Sequence, residues 1–98
     1  MGHQIIEKKR FTNKLFKLLE YLEKEWGHKV AANFFAKIKA HLNLLSNQPY
    51  IGQLESKKNI RSILITKHNR LYYRVEGSSI EVLNMYDTRM KPKKNKYR

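Results

Sequence analysis

The chain has 98 residues and a formal net charge of +13, with 21 Lys and Arg against eight Asp and Glu. This length fits one compact domain but not two, and the hydrophobic fraction of 41% lies within the globular range. The sequence contains no cysteine, which excludes disulfides and thiolate metal sites, and no apolar run is long enough to span a membrane. We therefore expect one folded domain, located in the cytoplasm and without a membrane partner.

Two amphipathic helices are predicted in the first half of the chain. Apolar residues recur at three- and four-residue steps over residues 11–26 and again over residues 31–45. Gly27 separates the two series, as expected where a helix ends through a left-handed residue. Pro49 ends the second series, because proline lacks an amide hydrogen. The short connection predicts an antiparallel helical hairpin.

Three strands are predicted in the second half. Apolar and polar residues alternate with a period of two over residues 60–65, 70–75 and 80–86. The turns between these segments are short and rich in turn-forming residues, so both connections are expected to be antiparallel hairpins. The three strands therefore form a meander.

The faces of the middle strand differ in chemistry. One face is apolar and is expected to carry the helices, whereas the other face presents Arg70, Tyr72 and Arg74. Residues 90–98 lack apolar periodicity and are expected to form a mobile basic tail after a single domain of residues 1–89.

Positive charge is concentrated toward the C-terminus. Twelve basic but only three acidic residues lie within residues 57–98. A field of one sign attracts nucleic acid or an acidic protein, whereas surplus lysine kept for solubility would not explain the asymmetry. The distribution favours a polyanionic partner.

Cationic and aromatic side chains of neighbouring strands are predicted to meet in one region. They are Arg61, Lys67, Arg70, Tyr72, Arg74, Tyr86 and Arg89. Arginine binds phosphate oxygens through a bidentate fork, and tyrosine stacks on bases and donates a hydrogen bond. Metal-independent cleavage of RNA by its own 2′-hydroxyl would also need a proton acceptor and a proton donor. Arg61 and Arg70 are candidates for the charge, and Tyr86 is a candidate for the proton donor.

Signatures of other chemistries are missing from the sequence. There is no Gly-rich phosphate loop, no His-x-x-x-His pair and no cluster of carboxylates. We therefore predict neither a metal site nor a cofactor. Among the four histidines only His68 lies beside the basic strands, where it is either a functional residue or a solvated turn residue.

The order of elements and four short segments resemble the RelE/ParE superfamily of toxins from bacterial type II toxin–antitoxin pairs. The segments are YLEKEWG at 21–27, NQP at 47–49 followed by Gly52, RLYYRV at 70–75 and DTR at 87–89. The resemblance covers nearly the whole chain. It implies an α+β fold in which a short N-terminal strand precedes an antiparallel helical hairpin packed on an antiparallel β-meander.

This resemblance implies a toxin with a cognate acidic antitoxin and, by family, a role in plasmid stabilization. RelE-like members cleave mRNA in the ribosomal A site without a metal, whereas ParE-like members inhibit DNA gyrase without nuclease residues. Our first hypothesis is ribosome-dependent mRNA cleavage, with the ribosome and its mRNA as partners. The alternatives are gyrase inhibition, favoured by the long hairpin, and a degenerate module that only binds nucleic acid or antitoxin.

By position, the RelE pattern implies a catalytic set of Arg61, Arg70, Tyr86 and Arg89. The tyrosine that RelE uses from a C-terminal helix has no clear equivalent here, so Tyr97 is the alternative to Tyr86. In that pattern Arg70 contacts the scissile phosphate, and Arg61 stands where RelE has a catalytic lysine. Ile63 replaces a second expected lysine, which motivates the degenerate alternative. From the charge distribution, the predicted nucleic-acid contacts are Lys57, Lys58, Lys67, His68, Tyr72, Arg74, Lys91, Lys93 and Lys94.

Overall fold

A computed structural model describes residues 2–55 and 59–89 of the chain. Its elements, in chain order, are β1 (Gln4–Glu7), α1 (Lys9–Trp26), α2 (His28–Asn47), β2 (Gln53–Leu54), β3 (Ile60–Thr66), β4 (Asn69–Glu76) and β5 (Ser79–Asp87). The predicted α+β class is confirmed, with a short first strand, a helical hairpin and a β-meander.

The strands form one five-stranded sheet in the order β1-β5-β4-β3-β2. The antiparallel pairs β3–β4 and β4–β5 are the predicted meander. The first strand adds to it in parallel with β5, and β2 adds two residues antiparallel to β3 at the opposite edge. β4 is therefore the central strand, with β5 and β3 on either side of it.

The two helices are joined by a single residue, Gly27. Its φ of +96° lies where glycine is favoured, and its N–H donates to the Glu23 carbonyl at 3.0 Å, which closes α1. Because the reversal takes only one residue, α1 and α2 pack side by side. Neither of these helices has the length and apolar character required to cross a lipid bilayer.

The main core lies between the hairpin and the face of the sheet that the hairpin covers, which we call the inner face. Its buried residues are Phe11, Leu15, Phe34, Ile38, Leu45, Ile65, Leu71, Tyr73, Ile80, Val82 and Met85. Full burial of one such side chain contributes on the order of 1.5–3 kcal/mol, so this layer stabilises the arrangement of helices on sheet.

Tyr73 connects the core to the loop that follows α2. Its hydroxyl donates to the Pro49 carbonyl at 2.8 Å and accepts from the Gly52 N–H at 2.9 Å. A Cβ atom at Gly52 would fall 2.5 Å from this hydroxyl oxygen, so the close approach requires glycine. Burial raises the pKa of Tyr73, while the Gly52 hydrogen bond and the charge of Arg61 oppose that shift.

We predict that Tyr73→Phe lowers the free energy of unfolding by about 1–3 kcal/mol, because the Gly52 N–H and the Pro49 carbonyl lose a buried partner. Urea denaturation would measure the change. Tyr50→Phe is the matched control, since the Tyr50 ring is exposed and the change should stay within about 0.5 kcal/mol. Equal effects of the two substitutions would contradict the role assigned to the Tyr73 hydroxyl.

Candidate functional site

The candidate site lies on the sheet face opposite the helices, which we call the outer face. Register places Arg70 between Leu64 of β3 and Tyr86 of β5, so these three side chains share that face. The pairing of Arg70 with Tyr86 results from an irregularity in β5. Leu83 is an extra residue between the pairs Tyr72–Asn84 and Tyr73–Val82, which is a β-bulge.

The bulge determines which side chains of β5 reach the outer face. With regular alternation after Val82, Met85 would lie opposite Arg70 and Tyr86 would lie on the inner face. The inserted residue instead turns Met85 into the core and aligns Tyr86 with Arg70. Half-buried Tyr86 is thereby held beside Arg70.

Arg70 is positioned by a short polar chain. Its Nη1 donates to the Ser62 Oγ at 2.9 Å, and the Ser62 hydroxyl in turn donates to the Glu55 carboxylate. Ser62 is only 1% exposed, so it has little freedom to change partners. These hydrogen bonds use only part of the Arg70 guanidinium, and its other N–H groups lie on the partly exposed outer face.

Lys14 of α1 is a part of this region that the sequence did not indicate. Its Nζ lies 3.7 Å from the centroid of the Tyr86 ring and donates to the Met85 carbonyl at 3.1 Å. The Tyr86 ring also meets Tyr72 edge to face, with 5.9 Å between centroids. In the sequence, Lys14 could have been noticed only because it is adjacent to the apolar residue Leu15 of α1, a position from which a long side chain can reach the sheet.

Arg61 does not join this group. It pairs with Tyr73 in register and therefore belongs to the inner face. Its Nη1 donates to the carbonyls of Tyr50 and Gly52 at 3.2 and 3.0 Å, and its guanidinium lies 5.2 Å from the Tyr50 ring centroid. The prediction that Arg61 and Arg70 meet in one region is thus wrong. Arg61 pairs with the inner-face residue Tyr73, whereas Arg70 is on the outer face, so the two side chains leave the sheet in opposite directions.

Arg74 lies on the outer face but has acidic partners. It donates to Glu81 from Nε at 3.2 Å and from Nη2 at 2.8 Å, and its Nε is 3.8 Å from the Glu76 carboxylate. Lys8 adds a second cation 3.5 Å from Glu81. The hydrogen bond from Arg74 is the main reason that the pKa of Glu81 is lowered, with smaller help from Lys8 and opposition from burial. Much of the charge of Arg74 is therefore balanced within the chain.

Arg89 lies near the turn between β3 and β4. It forms a two-pronged ion pair with Asp87, with Nε and Nη2 at 2.9 and 2.7 Å. Hydrogen bonds from the Arg89 side chain and backbone lower the pKa of Asp87 to about 2, and nearby His68 contributes to this shift. Exposed Lys67 is tied to this place through its carbonyl, which accepts from the Thr88 hydroxyl at 2.8 Å. Lys67, His68 and Arg89 thus lie together at the end of the sheet, where the charge of Arg89 is balanced by Asp87.

Tyr72 differs from the expectation of an exposed stacking residue. Only 1% of its surface is exposed, and it packs with Ile60 and Leu83 in a small second cluster on the outer face. A ring buried in this way presents no free face to a base. The predicted contacts Lys57, Lys58, Lys91, Lys93 and Lys94, and the alternative tyrosine Tyr97, lie outside the described residues.

The geometry therefore supports a limited chemistry. Arg70, Tyr86 and Lys14 offer positive charge and a phenol in one place, which suits binding of an anionic group. Arg61 is on the opposite face, while Arg74 and Arg89 are in ion pairs with carboxylates of the same chain. Within residues 2–55 and 59–89, His, Asp and Glu side chains do not gather in threes that could hold a metal ion.

Comparison with known proteins agrees with the fold. A family model described as the ParE toxin of the type II toxin–antitoxin system parDE matches residues 5–92. No curated protein matches by sequence. Among solved structures, the chromosomal ParDE system from P. aeruginosa superimposes with a TM-score of 0.75 at 15% identity, covering 88% of this chain and 96% of that one.

Two further structures are similar at a lower level. A YoeB/ParE toxin from Agrobacterium tumefaciens gives a TM-score of 0.62 at 18% identity, covering 86% of this chain and 97% of the other. The E. coli DinJ-YafQ toxin-antitoxin complex gives 0.60 at 16% identity, with coverages of 89% and 93%. At these identities the similarity concerns the fold.

We predict that Arg89→Gln raises the pKa of Asp87 from about 2 toward its usual 3.8, because the substitution removes the charged donor. An NMR titration of the Asp87 carboxyl would measure this. The lowered pKa stabilises the fold above about pH 4, and that contribution is lost as the pH falls toward 2, so the variant should lose less stability over this range. Arg74→Gln is the control and should change Glu81 but not Asp87. An unchanged Asp87 titration in Arg89→Gln would contradict the assignment.

Proposed function

The chain belongs to the ParE toxin family of type II toxin–antitoxin systems, and we propose that it acts by binding and inhibiting DNA gyrase without cleaving nucleic acid itself. The observation that carries the proposal is the placement of Arg61 and Arg70 on opposite faces of the sheet. The match to the family model spans residues 5–92 and thus includes both arginines.

Separation of the arginines weighs against the nuclease mechanism. Metal-independent cleavage concentrates positive charge, a proton acceptor and a proton donor around a single phosphate. Arg61 instead binds the carbonyls of Tyr50 and Gly52, on the opposite face from Arg70. A phosphate bound at Arg70 would therefore lie across the sheet from the Arg61 guanidinium.

The ion pairs of two other arginines are a second argument against the nuclease mechanism. Arg74 and Arg89 each bind an acidic residue of the same chain, and a phosphate would have to compete with Glu81 or Asp87 for them. Competition of this kind lowers the affinity for an anion. Two of the predicted phosphate contacts are thus better suited to maintaining the sheet.

The helical hairpin offers a surface for a protein target. Five large apolar side chains are exposed along it, namely Phe16, Tyr21, Trp26, Val30 and Phe35. Phe16 and Phe35 line one pocket, and a contiguous exposed apolar patch of this kind is typical of a protein–protein contact surface. Trp26, at the tip of the hairpin beside Gly27, is 67% exposed and is the largest of them.

We also propose that the toxin is neutralised by a cognate acidic antitoxin. The formal net charge of +13 favours an acidic partner, since complementary charge speeds association and suppresses incorrect partners. The P. aeruginosa structure is of a ParDE toxin–antitoxin system and the E. coli structure is of a toxin–antitoxin complex, so the same fold occurs in such systems.

A second candidate function is ribosome-dependent mRNA cleavage. It is favoured by one specific observation, the alignment of Arg70 with Tyr86 and the contact of Lys14 with that ring. The Tyr86 hydroxyl would be the proton donor to the leaving oxygen of a phosphate bound at Arg70. This candidate predicts a dependence on Tyr86 that gyrase inhibition does not share.

We predict that the purified chain inhibits DNA supercoiling by gyrase and that mRNA on ribosomes stays intact in its presence. Trp26→Lys should weaken the inhibition about tenfold or more, because it places a charge in a buried contact, whereas Tyr86→Phe should leave it unchanged. Measurements are gel assays of a relaxed plasmid with gyrase and mapping of mRNA ends after incubation with ribosomes.

The outcomes separate the two candidates. In-frame cleavage of mRNA that falls about 100-fold or more in Arg70→Ala and Tyr86→Phe, together with unaffected gyrase, would establish the nuclease and overturn the proposal. Circular dichroism of each variant controls for folding. Trp26→Lys should fold normally because its side chain is mostly exposed.

A further inference from the structure

One flank of α1 carries a row of basic side chains. Arg10, Lys17 and Lys24 follow one another at seven-residue steps within this helix, and all three are exposed. Seven residues make almost two full turns, so each member lies about 10 Å further along the axis and about 20° around it. The three side chains, which we call the basic row, therefore leave the helix in nearly the same direction over about 21 Å of its length.

The end of β5 lies beside the middle of the basic row. Lys17 lines a surface pocket together with Lys14 and Asp87. Lys14 adds positive charge here, although its Nζ already donates to the Met85 carbonyl at 3.1 Å. The carboxylate of Asp87 is bound by Arg89 Nη2 at 2.7 Å, so its negative charge is balanced within the chain. The surface around the row is therefore positive.

The carboxylates of α1 do not neutralise the basic row. Glu23 is on another side of the helix, where it lies 3.4 Å from His28. Glu20 is within one turn of two members of the row. Across residues 2–55 and 59–89, however, no carboxylate lies at ion-pair distance from a nitrogen of the row. Unlike Arg74 and Arg89, the row retains its charge for a ligand.

The stability of α1 does not explain the first member of the row. The N-terminus is the positive end of a helix dipole, where acidic residues stabilise a helix and basic residues do not. The first turn of α1 contains no acidic residue and begins with Lys9 and Arg10. These side chains and the helix dipole both attract an anion, which indicates a role for the charge outside the fold.

The shape of the basic row favours a duplex over a single strand of nucleic acid. A duplex carries one phosphate charge per about 1.7 Å of its axis, a straight track that cations on a rigid helix can follow. Binding of single strands instead relies on aromatic rings that stack on successive bases. On this side of the molecule Tyr72 is buried and the Tyr86 ring is covered by Lys14, while Tyr21 is the exposed ring beside the row.

We propose that the basic row of α1 binds the phosphate backbone of duplex DNA. Binding would be independent of base sequence, because phosphate contacts carry no sequence information. The choice of DNA over an RNA duplex rests on the proposed action on gyrase, whose substrate is DNA, whereas the row itself does not depend on it. Trp26 and the row are on the same helix, so one helix would contact both the enzyme and its DNA.

The test compares two triple variants of the full-length protein that have the same net charge. Arg10→Gln with Lys17→Gln and Lys24→Gln removes the row, whereas the control removes three exposed lysines that are spread around α2, by Lys29→Gln, Lys37→Gln and Lys39→Gln. Glutamine is a good helix former, so both variants should fold, which circular dichroism checks. Fluorescence anisotropy of a labelled duplex of about 20 base pairs measures binding without gyrase, between about 50 and 200 mM salt.

The row variant should lose both affinity and salt dependence. Each phosphate contact contributes about 0.9 to the slope of log K against log salt, so loss of three contacts should reduce the slope by about 2.7. That slope corresponds to about 40-fold in affinity between about 50 and 200 mM salt. We expect the row variant to bind about tenfold or more weakly at about 100 mM salt, and the α2 variant to remain within about threefold of wild type.

NMR spectra of the wild-type chain provide a readout that does not depend on the variants. Amide signals of α1 around the basic row should shift when the duplex is added. Shifts confined to residues outside α1 would overturn the proposal, and so would equal weakening by the two variants, because binding would then follow net charge alone. Tighter binding of a single strand of the same sequence, or of an RNA duplex, would also overturn it.

Inhibition of supercoiling is measured separately with the same preparations. If the row does not bind DNA but wild-type protein inhibits gyrase, this inference fails and the proposed function stands. If wild-type protein binds DNA through the row without inhibiting gyrase, the proposed function fails and the DNA site stands.

Discussion

The extra residue at Leu83 controls which side chains of β5 reach each face of the sheet. β5 lies between β1 and β4 and has neighbouring strands on both sides. Before the bulge, Ile80 and Val82 fill the core; after it, Met85 fills the core and Tyr86 lies on the outer face. A strand without the insertion would bury Tyr86 and expose Met85. Both the apolar layer and the candidate site therefore depend on one bulge.

Parity has an equally strong effect in β3. Arg61 and Ser62 are adjacent in sequence, yet Arg61 faces Tyr73 on the inner side and Ser62 supports Arg70 on the outer side. An arginine at position 62 instead of 61 would therefore place its positive charge on the opposite face of the sheet. Arg61 instead fastens the loop that Tyr73 also holds, which makes it a structural residue of the region after α2.

Much of the fold could be predicted from the sequence because the segments with a regular apolar period are long. Both helices and the three strands of the meander follow from repeats of 3.6 and two residues. β2 was missed because two residues carry no periodic signal. The bulge was missed because an insertion of one residue looks like ordinary variation in a strand with apolar residues at both parities.

The candidate site was less predictable than the fold, for reasons that differ between residues. Lys14 lies on a helix far from the strands in sequence, and only tertiary packing brings it to Tyr86. Tyr72 was expected to be exposed because it alternates with two arginines. The outer face, however, has an apolar cluster of its own around Ile60 and Leu83. A period of two distinguishes the faces but does not reveal that both are partly buried.

Net charge and local charge give different information about this protein. The total of +13 describes a long-range field that brings an acidic partner toward the surface. At contact distance, Arg74 and Arg89 are each balanced by a carboxylate, whereas Arg70 is held by the neutral Ser62 hydroxyl. Arg70 therefore retains its charge at a fixed position between Leu64 and Tyr86. An anionic ligand that reached the outer face would therefore meet an arginine already oriented by Ser62.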